Sequence, residues 1–191
     1  MEPGNVYESS LKGHFLIAMP SLADPNFSYT VSYIAEHTAE GAMGLVINRT
    51  HPELSMDVVF DELSLSAVPE RAALPLHLGG PVHTEQVFIL HGPPFGWEAC
   101  QQVTPNIALS NSMDLIEMVA QGRGPTSFVI ALGCAGWGPG QLESEIMDNA
   151  WLSCPATESI LFDVAVDSRW AEAAKLLGID PHRLTDVSGH A

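Results

Sequence analysis

Apolar residues in this chain fall into short runs cut by Gly, Pro, Asn and Asp, the signature of many buried strands and short helices. Residues 14–19 (His-Phe-Leu-Ile-Ala-Met), halted by Pro20, predict a buried strand. After turn chemistry at Asp24-Pro25-Asn26, Val31, Ile34, Ala35 and Thr38 recur at helical spacing until Gly41, which predicts a helix. A second buried strand follows over 43–48. Strand, helix and strand at this length predict a right-handed crossover with its two strands parallel.

Ser55 is placed to cap a short helix with Val58, Val59 and Leu63 facing the core, and residues 65–75 read as a loop. Shorter strands at 76–78, 86–90 and 107–109 suggest hairpins, and 92–96 form a rigid loop. A helix over 113–121 turns Leu115, Ile116 and Val119 inward. A core strand at 128–132, a glycine-rich loop, a helix from Pro139 to about Ala150 and a strand at 159–162 make a second crossover unit. Trp170, Ala173, Ala174 and Leu177 stripe a last helix closed by Gly178. The expected class is α/β to α+β with flanking helices.

With 191 residues, 46% hydrophobic and 16% charged, the chain suits one domain over 1–191, whose extreme termini, about 1–9 and 186–191, are expected to be flexible. No apolar run approaches a bilayer span and Met1–Asn5 lack a secretory pattern, so a cytoplasmic address without membrane contact is expected. Seven Lys and Arg against 23 Asp and Glu give a net charge of −16, with the cations scattered along the chain. Direct nucleic-acid binding is disfavoured, because it needs clustered cations to displace counterions. Cys100, Cys134 and Cys154 form no CxxC pair and no disulfide framework. Cys134 reads as a small buried filler, with a nucleophile or redox sensor as the alternative. His77, His83 and His91 are the nearest histidine trio, but their spacing is not that of a metal site; neither metal nor cofactor is expected.

The candidate chemistry gathers at residues 133–145, where the core strand breaks into Gly-Cys-Ala-Gly-Trp-Gly-Pro-Gly and restarts as a helix. Free amides at a helix start can hold a carboxylate or phosphate. No nucleotide phosphate loop, dinucleotide fingerprint or nucleophile–base pair is present. If the loop is a site, Trp137 forms its apolar wall, Gly136, Gly138 and Gly140 let the backbone approach a ligand, and Gln141, Glu145 and Asn149 line a groove at i, i+4, i+8. Gly136 or Gly138 is expected to adopt a positive φ. The alternative is a structural turn whose Trp fills core and whose polar row bonds locally. Glu36-His37 invites an acid–base reading, and Arg49 at a strand end could hold a carboxylate, against simple pairing with carbonyls or carboxylates.

The chain resembles the AlgH/YqgE family of bacterial proteins. The likeness is carried by residues 13–20 with Asp24-Pro25-Asn26-Phe27, by Glu36-His37, by 41–49, by Gly79-Gly80-Pro81-Val82, and by 136–145 with Asn149 and Trp151. It implies a mixed domain with a barrel-like central sheet, in the cytosol, and brings no known reaction. The family often has Tyr where Cys134 stands, which weakens a catalytic thiol. Members carry the label of transcriptional regulator through a link to alginate production. Three readings follow: a non-enzymatic protein regulating through an unidentified protein partner; a binder of a small anionic ligand, or an enzyme, at 133–140; and a direct DNA-binding regulator, disfavoured by charge.

Overall fold

The computed structural model describes residues 10–186; the expectation about the extreme termini lies almost wholly outside them. Ten strands build one sheet: β1 (His14–Ala18), β2 (Val31–Thr38), β3 (Gly41–Val46), β4 (Thr50–Ser55), β5 (Pro75–Leu78), β6 (Val82–His91), β7 (Cys100–Thr104), β8 (Ile107–Ser110), β9 (Phe128–Trp137) and β10 (Trp151–Pro155). Their order is β10-β1-β2-β3-β9-β6-β8-β7, with β4 on β5 and β5 on β9. Every pairing is antiparallel except β5 with β9. The helices are α1 (Met56–Glu62), α2 (Pro69–Ala72), α3 (Met113–Ala120), α4 (Gln141–Met147), α5 (Arg169–Leu176) and α6 (Pro181–Asp186). The fold is mixed α+β with a curled, half-barrel sheet.

The first expected crossover is absent. Residues 31–38 form strand β2, pairing Phe15 with Tyr33 on one side and Tyr33 with Leu45 on the other. Five consecutive residues, Val31 to Ala35, are buried. Val31, Tyr33 and Ala35 enter the core inside the curl, while Ile34 packs with Leu16, Ala42 and Trp137 on the outer side. With both faces covered, the period of two vanishes from the sequence, and the spacing of Val31, Ile34 and Ala35 imitates a helix.

The second unit is also corrected. Residues 159–163 are a π-helical turn, and the strand after α4 is β10, which pairs with β1. By the chain of antiparallel pairings, β9 and β10 run in the same direction with three strands between them. Leu142 of α4 is buried against the intervening strands. The glycine-rich segment is largely strand: Ala135, Gly136 and Trp137 pair with Gly44, Met43 and Ala42.

Gly133, at φ +73°, breaks the alternation of β9, since Val129, Ala131 and Cys134 all enter the inner core. A Cβ on Gly133 would lie 2.4 Å from the Gly80 carbonyl oxygen, and one on Gly80 2.3 Å from that of Cys134. Two backbones touch here without side chains between them, which only glycine permits.

Candidate functional site

Beyond Trp137 the chain turns through Gly138, Pro139 and Gly140 into α4. Gly140 sits at the helix N-cap with φ +72°, so within residues 133–140 the glycines with positive φ are 133 and 140, not 136 or 138 as expected. Gly136 has an ordinary strand conformation because it is paired with Met43. The turn closes on itself: the Gln141 amide donates to the Gly138 carbonyl at 3.1 Å, and the Gly138 amide donates to Gln141 Oε1 at 2.9 Å. The Gly138 N–H that an anion would need is thus used within the chain.

Glu145, one turn along α4, collects three donors. Its Oε2 accepts from Trp137 Nε1 at 3.0 Å and Trp151 Nε1 at 2.9 Å, and its Oε1 accepts from Gln141 Nε2 at 2.9 Å. Both indoles are buried. Phe27 stacks on Trp137 at 5.9 Å and meets Trp151 edge-on at 5.5 Å. Arg49 holds the loop that carries Phe27, donating to the Pro25 and Ser28 carbonyls at 2.6 and 2.7 Å. The structure therefore unites Trp137, Gly138, Gln141 and Glu145, with Arg49 behind Phe27. Asn149 stays outside: it is exposed, ends α4 in a left-handed conformation (φ +58°) and donates its amide to Ile146.

His37 is likewise engaged. Its Nδ1 accepts from the Leu11 amide at 3.0 Å, so Nε2 carries the proton and donates to Glu143 Oε1 at 2.7 Å. The Glu143 carboxyl lies below the usual carboxylate range, held there by its own backbone amide and then by His37. The histidine trio is dispersed: His83 is exposed, while His91 donates from Nδ1 to the Gly92 carbonyl and accepts at Nε2 from Ser110 Oγ. Among the described residues no three His, Cys, Asp or Glu side chains gather as a metal site.

Concave spaces lie elsewhere. Inside the curl of the sheet is an open groove of about 620 Å³, walled by Glu36, Met43, Phe88, Glu98 and Leu109, with Cys134 on its floor. Burial pushes the Cys134 thiol up, away from the reactive thiolate. A smaller cavity of about 180 Å³ lies between β5, the start of β9 and α5, and is lined by His77 and Arg169. Burial and the nearby Arg169 charge lower the His77 pKa to about 4, and burial lowers that of Arg169. Sequence reasoning did not single out Arg169, and it weighed His77 only as a member of the histidine trio. A signal existed for Arg169, which lies one turn before Ala173 on the same inward stripe of α5.

The AlgH-like family model matches residues 15–182. A UPF0301 protein of Desulforapulum autotrophicum is 46% identical over 181 residues, covering 95% of this chain and 96% of that protein. One from Pseudomonas fluorescens is 47% identical over 189 residues, covering 98% and 99%. The solution structure of the AlgH protein from Pseudomonas aeruginosa superposes with a TM-score of 0.79 at 43% identity, over the whole of both chains. A Corynebacterium diphtheriae crystal structure shares the fold, with a TM-score of 0.70 at 22% identity over 100% and 95% of the two chains.

Proposed function

The chain belongs to the AlgH-like family, and on that premise we propose that it acts without catalysis, in regulation through a protein partner whose basic segment docks in the groove of the curled sheet. The groove carries this reading. It is wide, open and lined by mixed apolar and polar side chains, with exposed Glu36 and Glu98 and no Lys or Arg. In a chain of charge −16, such a concavity favours a cationic partner and repels phosphate backbones. The free thiols Cys100, Cys134 and Cys154 suit a reducing, cytoplasmic setting.

Direct DNA binding finds little support in the placement of the cations. Arg49 donates to backbone carbonyls, Arg169 is buried, Arg71 lies over the Phe128 ring and Lys175 pairs with Glu172. Affinity capture with the wild type and with Glu36→Lys/Glu98→Lys, beside titration of labelled duplex DNA, tests the reading. The expected result is a protein retained by the wild type, released by moderate salt and lost from the charge-reversed variant. Equal retention by both proteins, or saturable DNA binding with a steep salt slope, would overturn it.

A further inference from the structure

Arg169 opens α5 and is only 5% exposed. Its Nε donates to the Val164 carbonyl at 3.0 Å and its Nη1 to that of Ile47, while Nη2 is bonded to none of the described residues. Among the described residues no carboxylate pairs with this guanidinium. His77 on β5 is 7% exposed, and neither ring nitrogen has a partner at hydrogen-bonding geometry, although the Ile130 and Pro75 carbonyls lie near enough to favour its protonated form slightly. Both side chains line the same cavity, whose remaining wall is apolar: Leu74, Phe128, Ile130 and Val166.

A buried charge without a counter-charge and a buried imidazole without a partner each cost stability, and native interiors seldom keep either without a reason. A single kind of ligand removes both deficits. We propose that this cavity binds a small carboxylate with a short apolar tail, its oxygens held by Arg169 and His77. A guanidinium offers planar donors matched to a carboxylate. The neutral imidazole can donate one further N–H. A doubly charged phosphate would need more donors than these two side chains supply, and the apolar wall would desolvate its remaining oxygens. By the ~30 Å³ that a water occupies in the liquid, the cavity's 180 Å³ holds on the order of six non-hydrogen atoms, about the size of a four- to five-carbon acid. The site is separate from the groove and does not depend on the partner-docking reading.

Isovalerate is the probe, titrated into the full chain at pH 7 by calorimetry and by NMR of the arginine Nε–H and histidine ring signals. The expected result is saturable binding at one site, shifts confined to Arg169, His77 and their neighbours, and a raised melting temperature. Arg169→Gln should weaken binding at least tenfold. Because Arg169 also ties Ile47 to Val164, two further variants leave it in place: His77→Leu should weaken binding severalfold, and Val166→Trp, which fills the cavity, should abolish it. The proposal is overturned by the absence of saturable binding at tens of millimolar, by full affinity in folded Val166→Trp, by equal binding of the neutral isovaleramide, or by tighter binding of inorganic phosphate.

Discussion

The Glu145 cluster and the Arg169 cavity use similar parts to opposite ends. Around Glu145 one carboxylate meets two indole N–H groups and an amide, and each donor has its acceptor inside the chain. Around Arg169 a guanidinium and an imidazole are as deeply placed, yet the guanidinium has no carboxylate among the described residues and neither ring nitrogen has a partner at hydrogen-bonding geometry. Composition does not separate a lock from a receptor; completeness of the hydrogen bonding does. The motif-rich segment is the lock, binding α4, β10 and the Phe27 loop to the end of β9.

The largest effect is expected from Glu145→Ala, which leaves two buried indole donors without an acceptor. At ~1–3 kcal/mol per unsatisfied donor the loss should be about 4 kcal/mol, read by urea unfolding. Unchanged stability would dissolve the contrast by showing that the cluster locks nothing.

A smaller effect of about 3 kcal/mol is expected from His77. Its folded pKa of about 4 lies below the ordinary value of 6.5, so the unfolded chain binds the proton more tightly. The neutral ring's contribution is full above pH ~6.5 and is lost as pH falls towards about 4. His77→Leu should therefore show a shallower loss of stability across that window than the wild type. Parallel curves would place the ring in contact with water.

The smallest effect should come from Gly136→Ala, within about 0.5 kcal/mol. A Cβ there meets only Val82 Cγ2, at 3.6 Å, in ordinary strand geometry. A loss of several kcal/mol, read by thermal unfolding, would show that the lock reaches back into β9.

Much of this was legible in the chain. Short apolar runs bounded by Gly and Pro located β1, β3, β9 and the inner stripes of α3 and α5, because each has a visible face or a clear stop. β2 was not, since residues buried on both faces carry no readable period, and β10 was hidden because α4 stops at Met147, sooner than its polar row suggests. Within the candidate site, the likeness of Trp137, Gln141 and Glu145 to a site was visible, but their mutual saturation was not: the Trp151 N–H and the Phe27 ring arrive from other parts of the chain. Arg169 and His77 are far apart in sequence; the inward stripe of α5 hints at the burial of Arg169, but their meeting in one cavity is a property of three-dimensional packing.

The position of β9 also governs how the protein is made. β3 is complete once Val46 has been synthesised, but the strand that covers its free edge ends at Trp137. That edge waits for about 90 residues, on the order of 5 to 20 s of elongation at ~5–20 residues/s. The outer edge of β1 waits longer, for β10. A nascent meander of β1, β2 and β3 thus leaves the ribosome with two unpaired, apolar edges, so aggregation during synthesis rather than unfolding afterwards is the hazard this strand order creates.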